Sequence, residues 1–287
     1  MCATCGCSDA GGAVLVDENG TTIARDHVHD GADNHGHADH DHGHEHPHHH
    51  GDGNFDHVHA PQAATVVSLE RAVLAKNDAL AARNRRWFAE AGIVALNLVS
   101  SPGSGKTSLL ERTIRELGAE VPMVVIEGDQ ATENDSARIR AAGARALQVN
   151  TGTGCHLEAD MIARALDELG PGSNSVVMIE NVGNLVCPAL FDLGEQAKVA
   201  ILSVTEGDDK PAKYPHMFAA ADLFVINKID LLPYVDFDVA RCIAHARAVR
   251  PGLQALVLSA KTGENIGAWY DWIRRARAAA AVPLAAT

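Results

Sequence analysis

Aromatic side chains are scarce: Phe, Trp and Tyr make up 4% of the 287 residues, although hydrophobic residues reach 46%. Packing must therefore fall to Ala, Val, Leu and Ile, which suits helices covering a parallel sheet. Positive charge is also in deficit. Lys and Arg number 24 against 37 Asp and Glu, a net charge of −13, which argues against nucleic acid or an anionic membrane surface as a partner. No apolar run approaches the ~20 residues that span a bilayer, and the first residues lack the basic and apolar regions of a signal peptide. A cytoplasmic protein is expected. The six cysteines, at positions 2, 5, 7, 155, 187 and 242, are too few and too unevenly placed for a disulfide scaffold. In a reducing compartment they are thiols or metal ligands.

The chain is organised around an apolar strand, Ile93 to Val99, that runs through Ser100-Ser101-Pro102 into Gly103-Ser104-Gly105-Lys106-Thr107-Ser108 and then Leu109-Leu110. Small residues between a strand and a helix let backbone N–H groups converge on phosphate oxygens, with the helix N-terminus adding its partial positive charge. Lys106 can reach the β- and γ-phosphates, and the Thr107 hydroxyl can ligate Mg²⁺. The pattern departs from G-x-x-x-x-G-K-[ST] at its first position, where Ser100 stands; Gly103 must supply some of the lost backbone freedom.

Further along, the apolar Leu223-Phe224-Val225-Ile226 leads into Asn227-Lys228-Ile229-Asp230, an N-K-x-D element. A carboxylate at Asp230 can accept from the N1–H and exocyclic amine of guanine, a donor pair adenine lacks. Ser259-Ala260-Lys261 follows the next strand as a second base-binding loop. Together with the phosphate loop these point to GTP and GDP as ligands. Asp129, closing Glu127-Gly128-Asp129, is the expected organiser of Mg²⁺ or of the attacking water, with Asp135 a second candidate. Glu180-Asn181-Val182-Gly183 stands where a D-x-x-G sequence would: Gly183 can offer its N–H to the γ-phosphate, and Glu180 replaces the usual Asp. No Arg finger stands in either loop, so slow intrinsic turnover is expected unless dimerisation or a partner supplies positive charge.

Metal chemistry is suggested in three places. Cys2, Cys5 and Cys7 can converge on one soft or borderline cation, with a redox pair as the weaker reading. Between His27 and His59 lie thirteen of the sixteen histidines, interleaved with seven Asp and Glu residues and preceded by Asp26. Such a segment cannot bury enough apolar surface to offset its ordering entropy and is expected to be disordered, with neutral imidazoles available to Ni²⁺, Zn²⁺ or Cu²⁺. Cys155, His156 and Cys187 lie on loops after neighbouring strand candidates; spacing alone leaves a metal site and two small buried thiols about equally supported. Cys242, His216 and His245 read as ordinary helix residues.

From residue 93 the chain alternates strands (Ile93–Val99, Met123–Glu127, Ala144–Val149, Val176–Glu180, Val199–Val204, Leu223–Asn227, Leu253–Leu258) with helices (Ser108–Leu117, Glu133–Ala142, His156–Leu169, Pro211–Ala220, Asp238–Val249, Asn265–Ala280), a βαβ rhythm. The expected fold is α/β: a mostly parallel sheet covered by helices, of the P-loop NTPase kind, preceded by a disordered His-rich segment. Three regions follow: a metal-binding N-terminal region at 1–60, a helical lead-in at 61–92 containing Ser68 to Ala91, and the nucleotide domain at 93–287.

Taken together, the Cys-x-x-Cys-Gly-Cys start, the His tract, Ser-Ser-Pro-Gly-Ser-Gly-Lys-Thr, Glu-Gly-Asp, Gly-Cys-His, Glu-Asn-Val-Gly-Asn-Leu-Val-Cys-Pro, Glu-Gly-Asp-Asp-Lys-Pro and Asn-Lys-Ile-Asp make a sequence that resembles the HypB hydrogenase-maturation GTPases over essentially its whole length. Ser100 and Glu180 look normal in that family. The resemblance implies a GTP-hydrolysing nickel metallochaperone, with Cys2, Cys5 and Cys7 as a tight nickel site and Cys155, His156 and Cys187 as a weaker nickel or zinc site. It also implies a homodimer, reached across by Lys210 or Lys213, and as partners other hydrogenase maturation proteins and the hydrogenase large-subunit precursor. A nickel-storage protein with minor GTPase activity and a urease-type maturation GTPase are the alternatives. Removing residues 27–59 is expected to lower the number of divalent ions bound, and the intact tract to release them as pH falls through ~6.5; equilibrium dialysis of both chains across that range measures it, and unchanged stoichiometry contradicts it.

Overall fold

The structure, a computed structural model, describes residues 14–16, 22–23, 62–129, 134–152 and 154–281. The Cys2–Cys7 cluster and the His27–His59 tract lie outside the described residues.

The seven expected strands all form, and all are parallel. They are β3 (Val94–Ser100), β4 (Met123–Asp129), β5 (Arg145–Asn150), β6 (Val176–Glu180), β7 (Ala197–Ser203), β8 (Leu223–Asn227) and β9 (Gln254–Val257). Two short strands that the sequence did not suggest, β1 (Val14–Val16) and β2 (Thr22–Ile23), add an antiparallel edge on β5. The sheet order is β2-β1-β5-β4-β6-β3-β7-β8-β9. Every residue of β3, β6, β7 and β8 is buried, as continuous apolar strands covered on both faces require.

The alternation of β3 divides the core. Val94, Leu96 and Leu98 face a cluster built with Leu109, Leu110, Ile114 and Leu117 of α2 (Lys106–Leu117) and Trp269, Tyr270 and Ile273 of α9 (Ile266–Ala280). Ala95 faces the other side, where Phe88 of α1 (Gln62–Ala91) meets Ile162, Leu166 and Leu169 of α4 (Ala159–Leu169). α3 (Asn134–Ala142), α7 (Pro215–Ala220) and α8 (Val239–Val249) complete the layers. Because the strands are parallel, Ser100, Asp129, Glu180 and Asn227 all emerge at one edge of the sheet. The phosphate loop leaves β3, where the strand order reverses between β6 and β7, the place such sheets offer to ligands.

Two helix boundaries differ from expectation for identifiable reasons. The helix expected over 211–220 is broken into α6 (Lys210–Lys213) and α7 at Tyr214, whose ψ of 56° is not helical; Pro215 disfavours a helical residue before it. α4 begins at Ala159 with Glu158 as its N-cap, so His156 lies in the preceding loop and not in the helix. The short α5 (Cys187–Leu190) was not expected.

α1 docks through polar anchors. Asn84 Nδ2 donates to the carbonyls of Ala159 (2.8 Å) and Leu193 (3.1 Å), and Asn77 Nδ2 to that of Asp192 (2.7 Å). The turn they grip requires Gly194: its φ is +87°, and a Cβ there would lie 2.5 Å from the Ala81 carbonyl oxygen. Gly194→Ala is therefore expected to destabilise by at least about 2 kcal/mol. Gly170→Ala, at the α4 C-cap with φ +49° but nothing within 4 Å of the added atom, should cost only about 1 kcal/mol. Urea unfolding of the two variants separates them; equal losses would contradict the packing argument.

Candidate nucleotide and metal site

The phosphate loop folds as its small residues dictate. Gly103 (φ +75°) and Gly105 (φ +96°) take left-handed conformations, and the first amides of α2 have no side-chain cap, leaving N–H donors aimed into the loop. α2 starts at Lys106, two residues earlier than expected, so Lys106 and Thr107 both sit in its first turn. Ser100 is explained by its bonds: its Oγ accepts from Lys106 Nζ at 2.8 Å and from Ser104 Oγ at 2.5 Å. Burial pushes the Lys106 ammonium below its ordinary pKa, against the attraction of Glu180.

Strand register brings the carboxylates together. Glu127 pairs with Glu180 across β4 and β6, and Thr107 Oγ1 donates to Glu180 Oε1 at 2.8 Å. Desolvation pushes the Glu180 carboxyl up to about 7 despite Lys106. Desolvation, with the charge of Glu180 next, pushes Glu127 up to about 9. One buried oxygen on each, Glu127 Oε2 and Glu180 Oε2, has no hydrogen-bond partner among the described residues. Two buried carboxylates with spare oxygens beside a hydroxyl form a hard-ligand set of the kind Mg²⁺ takes. Asp129 and Asp135 line the same cleft of about 490 Å³, with Gly103, Thr107 and Gly183. A Cβ at Gly183 would fall 3.0 Å from Pro102 Cγ and 3.1 Å from Pro102 N, so the loop after β6 lies directly on the phosphate loop.

The base-side residues assemble next to it. Asn227 Nδ2 donates to the Ser104 carbonyl at 3.0 Å, and Asn227 Oδ1 accepts from Ala260 N at 3.0 Å, joining the phosphate loop to the 259–261 loop. Lys228, itself at φ +64°, donates to the Gly103 carbonyl at 2.6 Å. Ser259 Oγ donates to Asp230 Oδ1 at 2.6 Å, which holds that carboxylate in place. Asp230, Lys228, Ala260 and Lys261 line a cavity of about 500 Å³ shared with Gly105 and Ser108.

Cys155, His156 and Cys187 also meet. Their ligand atoms all lie within 4.8 Å of one another, with the two sulfurs 2.9 Å apart. The His156 ring stacks on Phe191 at 3.8 Å between centroids, with Nδ1 3.7 Å from the Cys155 sulfur and Nε2 3.7 Å from Glu158 Oε1. Two thiols and an imidazole suit a borderline cation such as Zn²⁺ or Ni²⁺. Cys242 is buried in the core, which pushes its thiol up to about 12. His245 bonds through Nδ1 to the Asp208 carbonyl at 3.1 Å, and His216 lies on α7. None of the three belongs to the group formed by Cys155, His156 and Cys187. Lys210 lies over the Tyr214 ring, while Lys213 is exposed and paired with Asp209 at 2.6 Å.

The two sites share backbone. Glu180 ends β6, and seven residues later Cys187 opens α5. Between them Asn181 Oδ1 accepts from Leu157 N at 3.2 Å, beside His156, and Asn184 Nδ2 donates to the Cys155 carbonyl at 3.4 Å. Sequence reasoning missed Glu127 and these two asparagines. Glu127, next to Gly128-Asp129 at a strand end, carried a usable signal; the partners of Asn181 and Asn184 depend on tertiary packing.

Residues 94–257 match the family described as CobW/HypB/UreG, nucleotide-binding domain. The hydrogenase maturation factor HypB of Rhizobium leguminosarum bv. viciae is 57% identical over 226 residues, covering 79% of this chain and 76% of that protein. That of Cupriavidus necator is 47% identical over 324 residues, covering 98% and 90%. A crystal structure of HypB from Helicobacter pylori in complex with nickel superposes with a TM-score of 0.67 at 35% identity, covering 74% of this chain and all of that one.

The raised carboxyls have a consequence for stability. An acid whose folded pKa lies above its unfolded one keeps a proton the unfolded chain has released, so unfolding free energy falls as pH rises through that window. Between about pH 5 and 9 the metal-free protein should lose stability with rising pH, and Glu127→Gln should flatten that decline. Thermal melts in chelator across the range check this; parallel curves for the two proteins would contradict it.

Proposed function

The chain belongs to the HypB hydrogenase maturation factors of the CobW/HypB/UreG family, and from that premise we propose that it is a GTP-hydrolysing nickel metallochaperone serving the assembly of [NiFe]-hydrogenase. The observation that carries the reading is the shared loop, with Glu180 at the phosphate end and Cys187 at the sulfur end. A nucleotide that moves the first moves the second, and handover of a metal requires that its affinity differ between the two nucleotide states.

On this reading Gly103, Ser104, Gly105, Lys106, Thr107 and Ser108 hold the phosphates, and Gly183 offers its N–H to the γ-phosphate. Asp230 reads the guanine edge, held by Ser259, while Asn227, Lys228, Ala260 and Lys261 complete the base pocket. Mg²⁺ fits beside Thr107, Glu180, Glu127 and Asp129, where it would neutralise phosphate charge; Asp129 or Glu127 orients the attacking water. Nickel is the cargo. Cys155, His156 and Cys187 hold it, or zinc, in the nucleotide domain, and Cys2, Cys5 and Cys7 form the second site, with the His tract raising local metal concentration. The active form is a homodimer in the cytoplasm, in contact with other maturation proteins and the hydrogenase large-subunit precursor, and Lys210 or Lys213 supplies charge across the dimer.

Asp230→Ala removes two hydrogen bonds to guanine at ~1–3 kcal/mol each and is expected to weaken GDP binding by ~30-fold or more without changing the affinity for ADP. Calorimetric titration reads both, and an unaltered GDP affinity would contradict the base assignment. Lys106→Ala should abolish hydrolysis and lower nickel loading of the hydrogenase precursor. Undiminished loading would favour nickel storage instead.

A further inference from the structure

Four polar side chains are buried in or beside the sheet, on β3, on β7 and just beyond β6 and before β7, and apart from the bond of Asn181 to Leu157 the chemistry assigned above uses none of them. Lys198 and Glu195 are 6% and 8% exposed, and Asn97 and Asn181 at most 1%. Lys198, on β7, sends its Nζ to the carbonyl oxygens of Pro188 (2.8 Å) and Phe191 (3.3 Å) and lies 3.5 Å from Glu195 Oε1. Glu195 Oε2 accepts from Leu193 N at 2.7 Å, and its Oε1 from Asn97 Nδ2 at 3.0 Å. Asn97 Oδ1 in turn accepts from Asn181 Nδ2 at 3.1 Å. A buried charged pair amid apolar strands is costly, and hydrophobic residues of similar volume would often be at least as stable there. Its location gives it a use. The two carbonyls that Lys198 grips belong to the second residue of α5 and to its C-cap, Phe191. That short helix begins at Cys187, and the ring of Phe191 is the one on which His156 stacks.

We propose that Lys198, braced by Glu195, is a positioning residue for the cation held by Cys155, His156 and Cys187, and that the Asn97–Asn181 branch anchors the same brace to the residue after Glu180. The proposal rests on the reading of that cluster as a metal site. Lys198 fixes backbone and touches no ligand atom. Removing it frees the 188–191 turn, so Cys187 and the Phe191 face against His156 lose their fixed relation. Outer-sphere groups that orient ligands are typically worth ~10- to 100-fold in metal affinity.

Lys198→Met keeps the length of the stem and removes the three contacts of its nitrogen. Zn²⁺ and Ni²⁺ affinities are measured by chelator competition on the chain carrying Cys2→Ala and lacking residues 27–59, so that neither the N-terminal cysteines nor the histidine tract masks the site, with GDP affinity measured alongside. The expected result is metal binding weakened by about tenfold or more, a shifted or weakened thiolate-to-nickel charge-transfer band, and GDP affinity within about twofold of the parent. Should Lys198→Met fail to fold, Glu195→Gln, which loses the charge facing Lys198 and whose single amide oxygen can keep only one of the bonds from Leu193 N and Asn97 Nδ2, carries the same test with the same direction. Cys187→Ala is the control: if it leaves nickel and zinc affinity unchanged, the metal-site reading itself fails. If Cys187→Ala abolishes binding while folded Lys198→Met or Glu195→Gln binds metal as the parent does, the site stands and the positioning role is overturned.

Discussion

The hydrogen bond from the Thr107 hydroxyl to the Glu180 carboxylate, 2.8 Å long and sealed from solvent, ties the first turn of α2 to the end of β6. Much of the site follows from where that strand ends. Glu180 is held beside Glu127 by register, beside Lys106 by the course of the phosphate loop, and seven residues from Cys187 by the chain itself. Burial disfavours the ionised form of both carboxyls, and at Glu127 the charge of Glu180 adds to it, which their raised pKa values express. Such strain is tolerable where a cation and a charged ligand relieve it, and protein sites of this kind are commonly functional.

The same strand end faces two kinds of ligand. On the phosphate side stand oxygen donors, backbone amides and a lysine, all hard and all suited to phosphate and Mg²⁺. On the far side of the 181–186 loop stand two sulfurs and an imidazole, suited to a softer ion. Asn181 and Asn184 hold the loop to the segment carrying Cys155 and His156, so the two ligand shells cannot move independently without breaking buried hydrogen bonds. The close approach of Gly183 to Pro102 gives the loop a direct contact with the phosphate loop as well.

Most of the fold was legible in the sequence. Strands buried on both faces announce themselves as unbroken apolar runs, and all seven were found. The phosphate loop and the Asn227–Asp230 element are local in sequence, so their placement at strand ends follows from the βαβ rhythm alone. What escaped depended on tertiary context. Val14–Val16 and Thr22–Ile23 are too short to show a period and exist as strands because the first pairs with β5 and the second with the first. The meeting of Glu127 with Glu180 needs a register that no local pattern encodes. Asn97 did leave a trace, as a polar residue within an apolar strand, but its meaning lies in Asn181 and Glu195, each more than 80 residues away. The convergence of Cys155, His156 and Cys187 was balanced between ligands and buried thiols by spacing alone; the geometry brings their donor atoms together.

The central claim is that the nucleotide pocket and the sulfur pocket are two ends of one mechanical unit. Its most direct test is the nickel affinity of the Cys155, His156 and Cys187 site with GDP bound and with a non-hydrolysable GTP analogue bound, in protein lacking the N-terminal cysteines and residues 27–59. The account predicts affinities that differ by at least about fivefold between the two states, the lower end of ordinary allosteric coupling. Equal affinities in both states would contradict it.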